Sequence, residues 1–488
     1  MANSDPRKRA TSGLDLCLDL GGKPGRGLRV TVENGIREGI RSGRLTRGTR
    51  LPPTRELARD LGVSRGTVLQ AYEQLVAEGW ISGRRGSSTF VSADADAHRR
   101  STAIRQPGEV RWRFDLRPGR PDASSFPRAE WLRALRRAMA AAPNDALGYG
   151  SPQGQLALRV ELASYLGRAR GLHVSPESVV VTTGFTQGLG LVARSLTAMG
   201  VTEVAMEDPT MPLHRSIVRA AGLEVHSTAV DGDGMRVEAL DRLPHAGAVV
   251  LTPNRQHPTG AVLSAGRRTR ALTWAGNRGA VIVEDDYDGE FRYDRHPIGP
   301  LQGLDPEVVV YAGTTSKTLA PGVRLGWLVL PERLRRDVLR EKQLADWQSS
   351  TLEQLALTEL LRTGAYDRHI RQMRLRYRRR RDVLVAALAE AVPHLRALGG
   401  EAGLHLLIPF PDRTTETDAL AAARAAGIGL AGIAEDGYYE NPGPAGLIVG
   451  FAAAPEHIFG RAVEALTTAL SGVRLPRDLR DAPPAGGA

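Results

Sequence analysis

The sequence predicts two folds in one chain: a small helical head built as a winged helix-turn-helix, and a larger α/β domain around a mostly parallel sheet. Three observations predict it. Positive charge is concentrated at one end, residues 1–113 holding 21 Lys/Arg against 12 Asp/Glu, which is +9 of the chain's +11. Such a charge excess suits a module that faces a polyanion. Within that stretch, helical patterns flank a tight Gly62-Val63-Ser64 turn. Beyond residue 114, short apolar runs alternate with helical patterns, as strands joined by helices do. At 488 residues the chain has room for both folds and for a large core.

The elements follow in order. Residues 1–23 lack periodicity and read as a flexible tail. The head spans 24–92. Val32, Ile36 and Ile40 recur at helical spacing in a first helix that Ser42-Gly43 ends. Thr54 stands as the N-cap of a second helix carrying Leu57, Ala58 and Leu61, and Ser64 as the N-cap of a third carrying Val68, Ala71, Tyr72 and Leu75. Trp80-Ile81 and Thr89-Phe90-Val91, joined by a Gly/Arg/Ser turn, form a two-stranded wing. Residues 93–113 read as a linker and 475–488 as a second flexible tail. Between them, 114–474, strands are expected at Val179–Thr182, Glu203–Met206, Ala248–Leu251, Val281–Val283, Val308–Tyr311 and Leu325–Leu330.

Composition excludes other classes. The single cysteine, Cys17, cannot form an intramolecular disulfide, and no Cys/His cluster has the spacing of a zinc site, so no metal is expected. No apolar run reaches the length of a membrane span and no signal-peptide pattern opens the chain. A cytoplasmic protein without membrane contact is the expectation.

In a helix-turn-helix the second helix enters the major groove, its first residues meeting base edges while flanking groups hold phosphates. Ser64, Arg65 and Thr67 occupy those places, Arg55 sits on the preceding helix, and Arg84 and Arg85 on the wing. Isolated arginines more often belong to a solvated face, but the local charge and the turn favour DNA. The run Leu51-Pro52-Pro53-Thr54-Arg55-Glu56-Leu57-Ala58, then Leu61 to Val68, Ala71-Tyr72 and Glu78-Gly79, resembles the winged helix of GntR-type bacterial transcription factors. That resemblance implies binding to a double-stranded DNA operator, by a dimer. Gly66 departs from it, standing where the family often has a polar residue.

Four features of the large domain fit one chemistry. Lys317 lies in the hydroxyl-rich turn Thr314-Thr315-Ser316-Lys317 after a predicted strand, with Arg324 seven residues on. A lysine there can form a Schiff base with an aldehyde cofactor, while hydroxyls and a guanidinium hold its phosphate. Asp285, Asp286 and Tyr287 follow another strand, where a carboxylate can pair with a pyridine nitrogen. Gly184-Phe185-Thr186-Gln187 can open a helix whose free N–H groups take a phosphate. Asn254 to Gly260 forms a further loop at a strand end.

Their joint order resembles aspartate-aminotransferase-type (fold type I) pyridoxal-phosphate domains. The resemblance implies pyridoxal 5'-phosphate as cofactor and Lys317 as its Schiff-base lysine. It makes Asp285 the partner of the pyridine nitrogen, with Asp286 as the substitute, and places Tyr287 at the phenolic oxygen. Arg324, Thr314, Ser316, Phe185, Thr186 and Gln187 form the phosphate cup. Tyr149 matches the tyrosine that reaches the phosphate of the other subunit, which implies a homodimer. His257 stands where aminotransferases have an asparagine on the phenolic oxygen; it either makes that bond or lines the loop.

Joined, the halves resemble MocR-type regulators, in which a GntR head is fused to an aminotransferase-like domain. Two departures bear on the ligand. Aminotransferases hold a substrate carboxylate with an arginine near the C-terminus, yet Gly446 to Phe451 has none, and no Lys or Arg occurs between Arg424 and Arg461. Met211 stands where an aromatic ring usually stacks on the cofactor. These losses favour a transcriptional regulator that senses pyridoxal phosphate, as in the PdxR-like subgroup controlling vitamin B6 synthesis, or its adduct with an amine or amino acid. In the second case Arg215 or Arg295 is a candidate for the missing cation. The alternative is an active aminotransferase with an accessory DNA-binding head. The basic run Arg374 to Arg381 reads as a solvated helix face.

Overall fold

A computed structural model of the chain describes residues 27–83, 88–92, 111–294 and 298–473, and the chain divides into two compact units at Arg111/Trp112. Both expected tails, nearly all of the expected linker, and Arg84, Arg85 and Arg295 lie outside the described residues.

In the first unit, α1 (Leu28–Arg41) buries Val32, Ile36 and Ile40. A short strand β1 (Arg50–Leu51) precedes α2 (Thr54–Asp60) and α3 (Arg65–Ala77), and β2 (Ile81–Ser82) and β3 (Thr89–Val91) close the unit. The N-cap of α2 is Pro53, not Thr54: the amides of Glu56 and Leu57 reach back to Pro53 O, so the proline carbonyl is the first that the helix uses. Ser64 does cap α3, its Oγ accepting from Thr67 N at 3.1 Å. The wing has three strands in the order β1-β3-β2, since Arg50 and Leu51 pair with Phe90 and Thr89. Two residues are too short for a period-2 pattern to reveal β1. Leu57, Val68, Ala71, Leu75, Ile81 and Val91 join the α1 residues in one core, and Tyr72 Oη donates to Pro52 O at 2.9 Å, pinning α3 to the segment before α2.

The second unit opens with β4 (Phe114–Asp115), α4 (Arg128–Ala141) and α5 (Leu156–Arg170). Then come β5 (Val179–Thr182), α6 (Phe185–Ala198), β6 (Glu203–Asp208), α7 (Pro212–Ala220), β7 (Glu224–Asp231), β8 (Gly234–Met235), β9 (Ala246–Leu251), α8 (Ala265–Arg278), β10 (Val281–Asp285), β11 (Val309–Thr314), β12 (Gly326–Val329), α9 (Glu332–Asp346) and α10 (Thr351–Arg362). The strands form one sheet in the order β5-β12-β11-β10-β9-β6-β7-β8. Pairings from β11 across to β7 are parallel, while β12 runs antiparallel to both its neighbours. The inner strands carry near-continuous apolar runs, broken by polar residues at their carboxyl ends, because both faces are covered. Val281, Val283 and Val310 pack toward α6 and α9, whereas Ile282 and Val309 pack toward α8.

The long α11 (Ala365–Ala391) leads to a smaller lobe. There β13 (His405–Phe410), α12 (Arg413–Ala425), β14 (Ile428–Gly429), β15 (Ala431–Gly432), β16 (Ala445–Gly450) and α13 (Glu456–Ser471) build an antiparallel sheet β13-β16-β15 under helices. β14 pairs with β4.

The basic run on α11 is not a uniformly solvated face. Arg380 is 2% exposed; its Nη2 lies 3.1 Å from Asp122 Oδ2 and 2.8 Å from Glu456 Oε2, and its Nη1 donates to Ala452 O. Periodicity placed it among charged neighbours, but the packing of α13 against α11 encloses it. Arg380→Ala should therefore remove the closest cation from the buried Asp122 carboxylate, which keeps Ser124 and Ser125 as donors, and cost about 3 kcal/mol, read as a lower urea midpoint of the second unit. Arg379→Ala, whose guanidinium only touches Leu375 O in its own helix, should stay within about 0.5 kcal/mol.

Candidate functional site

The carboxyl ends of β6, β9, β10 and β11 meet the N-terminus of α6 around a cavity of about 260 Å³, the place where parallel sheets usually bind ligands. Lys317, Asp285, Tyr287, His257, Thr314, Ser316, Arg324, Phe185 and Thr186 all line it, so these sequence-expected residues are brought together by the fold.

Lys317 is partly buried, and its Nζ donates to Gly119 O at 2.6 Å. Gly119 has φ +70°, and a Cβ on it would stand 3.2 Å from Nζ, so the glycine leaves the room the ammonium uses. Burial lowers the Lys317 pKa, opposed by Asp285 and Asp288. Asp285 ends β10 in full burial; its Oδ1 has no hydrogen-bond partner, and burial holds its pKa well above the ordinary value despite Lys317. Asp286 is committed elsewhere. It accepts from Arg170 Nε (2.8 Å), Tyr311 Oη (2.8 Å) and Asn254 Nδ2 (3.0 Å), and it does not line the cavity.

His257 lies edge-on to Tyr287, with ring centroids 5.7 Å apart, and both its ring nitrogens are buried without partners. Burial, with Lys317 and Arg255, keeps its pKa well below the ordinary value, so it is a neutral imidazole. Tyr287 Oη accepts from Arg255 Nη1 at 3.1 Å. Opposite, Gly184 (φ +99°) caps α6 with the Arg324 guanidinium against it, and among the described residues Arg324 has no hydrogen bond or ion pair. Thr314 Oγ1 accepts from Ser316 N at 3.1 Å and donates to Ser316 Oγ at 3.0 Å, which shapes the hydroxyl turn.

Two expected residues lie elsewhere. The Gln187 side chain accepts from Thr183 N and donates to Asp346 Oδ2 at 2.6 Å, so it braces the start of α6 against the end of α9. Tyr149 is 91% exposed and meets Trp347 edge-on. Met211 does line the cavity, joined by His214, which sequence reading passed over. His214 packs edge-on against Phe185 at 4.9 Å, and burial with Lys317 lowers its pKa to about 4. Arg255 and His405 were also missed: Arg255 is enclosed by Tyr287, Asp288 and His405 behind His257. Arg255 falls within the Asn254–Gly260 loop that the sequence singles out, whereas His405, on β13, carries no such signal.

The place of the absent carboxylate arginine is occupied by β16, every residue of which is buried in the smaller lobe. Arg215 is no substitute, because its guanidinium donates to Gly437 O and Tyr438 O and pairs with Glu440 at 3.1 Å.

In the first unit, Arg55 and Arg65 open α2 and α3, are exposed, and make no hydrogen bond or long-range ion pair among the described residues. Ser64 and Thr67 differ: their hydroxyls bond each other at 2.8 Å and close the N-cap. A Cβ on Gly66 would approach only Ser64 Oγ at 3.7 Å, so this departure from the family pattern leaves the helix start intact.

Two family models match these units: bacterial regulatory proteins of the gntR family over residues 28–91, and aminotransferase class I and II over residues 119–442. The chain is 32% identical over 478 residues to the probable rhizopine catabolism regulatory protein MocR of Rhizobium meliloti, covering 92% of this chain and 96% of that protein. The chain belongs to the MocR-type regulators of the GntR family. It is also 35% identical over 382 residues to the HTH-type pyridoxine biosynthesis transcriptional regulator PdxR of Corynebacterium glutamicum, covering 76% of this chain and 81% of that one. Among solved structures, an archaeal alanine:glyoxylate aminotransferase matches with TM-score 0.67 and 25% identity, over 80% of this chain and 96% of that chain. This MocR-type chain thus carries a GntR DNA-binding head and a fold type I domain, a fold of pyridoxal-phosphate-dependent proteins. Among its described residues no helix is long and apolar enough to cross a membrane.

Beside the cavity, Glu207 accepts from Thr252 Oγ1 at 2.5 Å in full burial, which pushes its pKa from the ordinary 4.5 up to about 7. The folded state therefore keeps this proton longer than the unfolded chain does. The stability it contributes is complete below pH 4.5 and is lost as pH rises through about 7. Glu207→Gln should flatten that decline, seen as urea midpoints that differ less between about pH 5 and about pH 8 than in the parent.

Proposed function

We propose that this MocR-type regulator binds pyridoxal 5'-phosphate at Lys317 and converts its presence, or that of its adduct with an amine, into a change in operator binding. The observation that carries the reading is the set of unpaired groups in the cavity: Asp285 Oδ1, both nitrogens of His257, and the Arg324 guanidinium. Asp285 Oδ1 and the His257 nitrogens are buried, where lacking a partner is costly, and the exposed Arg324 guanidinium stands free beside them; each matches a group of that cofactor.

Lys317 would hold the cofactor by its aldehyde carbon, and Asp285 would pair in its charged form with the pyridine N–H. Tyr287 and His257 would face the phenolic oxygen, with Arg255 orienting the tyrosine, and Arg324, Thr314, Ser316 and the first amides of α6 would hold the phosphate. Bound there, the cofactor supplies an electrophilic carbon that amines can attack and a visible chromophore.

The exposed Tyr149, beside exposed Trp347 and Leu147, is in keeping with a homodimer in which this tyrosine serves the partner subunit's phosphate. Ligand-dependent DNA binding then requires only that cofactor-bound and cofactor-free dimers hold their heads differently. Similarity to the C. glutamicum regulator supports vitamin B6 synthesis as the controlled process. The lack of a cation on β16, with Arg215 tied down, counts against efficient transamination of ordinary α-amino acids.

Purified protein with pyridoxal phosphate should show visible absorbance that Lys317→Ala abolishes, and in that variant operator affinity should no longer respond to the cofactor. Sustained product formation at metabolic rates from a panel of amino donors and keto acids would instead establish an aminotransferase. In the head, Arg65→Ala should weaken specific operator binding by about 1–3 kcal/mol, measured by fluorescence anisotropy against a scrambled site. An unchanged affinity there would mean that α3 is not the recognition helix.

A further inference from the structure

A second cleft, of about 520 Å³, lies in the large unit and shares no lining residue with the cofactor cavity. Five arginines line it: Arg168, Arg170, Arg292, Arg371 and Arg374. Their partners leave a surplus of positive charge. Arg168 reaches Asp367 only at 3.4 Å, and Arg292 is held by Asp294. Arg374 donates to a neutral acceptor, Glu290 O, at 2.8 Å, and Arg371 has no hydrogen bond or ion pair among the described residues. The Glu290 carboxyl is pushed up to about 7 by burial, so near neutrality it offsets less than a full charge. Arg170 is the buried member: its side chain is 7% exposed, its Nε and Nη1 donate to Asp286 Oδ2 and Gly289 O, and its Nη2 alone, though 2.7 Å from Asp286 Oδ2, makes no aligned hydrogen bond.

We propose that this cleft is a second ligand site that takes a small phosphorylated metabolite. Guanidinium forks match phosphate oxygens, the free Arg371 and the unsatisfied Arg170 Nη2 supply the gain, and the volume suits a small organic ligand better than a bare ion. The site is wired to the cofactor cavity through Asp286, which binds Arg170 on one side and on the other holds Asn254, the first residue of the loop carrying His257. A dianion in the cleft competes with Asp286 for Arg170. The Asp286 charge, now less compensated, disfavours ionisation of the adjacent Asp285, and cofactor affinity falls. Only this coupling rests on the pyridoxal phosphate reading; the binding itself does not.

The test titrates inorganic phosphate into the full chain by calorimetry at constant ionic strength, in the parent and in four variants. Saturable binding should persist in Arg324→Ala, which disables the cofactor's phosphate cup. It should weaken about tenfold or more in Arg371→Ala and in Arg168→Ala, and be largely kept in Arg371→Lys. The Arg371 side chain has no partner among the described residues, so thermal unfolding of Arg371→Ala should match the parent. Absence of saturable binding, or binding lost in Arg324→Ala but not in Arg371→Ala, overturns the site. If Arg371→Ala leaves phosphate binding unchanged but lowers the salt slope of operator binding by about one, the cleft holds the DNA backbone and the proposal falls. For the coupling, phosphate should reduce pyridoxal phosphate affinity more in the parent than in Arg371→Ala; equal reductions overturn it while leaving the site.

Discussion

Asp285 and Lys317 share one cavity, and neither ionises there without cost. Burial raises the pKa of the carboxyl and lowers that of the amine, and each partly offsets the other's penalty. Much of the surrounding structure exists to hold this pair. The parallel strands deliver both to one edge of the sheet, Gly119 leaves space at the ammonium, and Asp286 absorbs Arg170, Tyr311 and Asn254 so that its neighbour Asp285 is left open. Asp285 Oδ1 and the two nitrogens of His257 are buried and unbonded side by side in the cavity lining, where each costs stability.

The arginines divide by what encloses them. Arg380 and Arg215 are structural, each buried and held by carboxylates and carbonyls, and Arg255 is buried against Tyr287, Asp288 and His405. Arg324, Arg371, Arg55 and Arg65 are unspent, and these point outward or into cavities. Net charge alone does not distinguish the two groups, since a buried, paired arginine and a free one count equally in the sum. What separates them is desolvation: an arginine removed from water must be paired, whereas one held ready for phosphate must not be.

Much of the fold was legible because its signals are local. Ser64 caps α3 as a serine before a helical pattern does, and the all-apolar runs at 179–182 and 281–283 are strands because both sheet faces are covered. Where signals were short or came from distant partners, reading failed. β1 has two residues, Pro53 took the capping place from Thr54, and Gln187 turned toward Asp346, 159 positions away. His214, His405 and Arg255 carry no pattern that marks them as cavity residues. Histidine and arginine on a strand or short helix read alike whether they face a ligand or a neighbour.

By itself the sequence determined the two-part plan, the basic head, the order of Lys317, Asp285 and Arg324 along an α/β chain, and the missing cation on β16. All of these follow from residue type, spacing and charge, which are properties of neighbours in the chain. The tertiary structure alone decided that Asp285 rather than Asp286 opens into the cavity, that His257 is neutral and unbonded, that Arg380 is enclosed, and that five arginines from separate segments share one cleft. Each of these depends on which distant groups remove water from a side chain. That is a property of packing, set only when the helices close over the sheet.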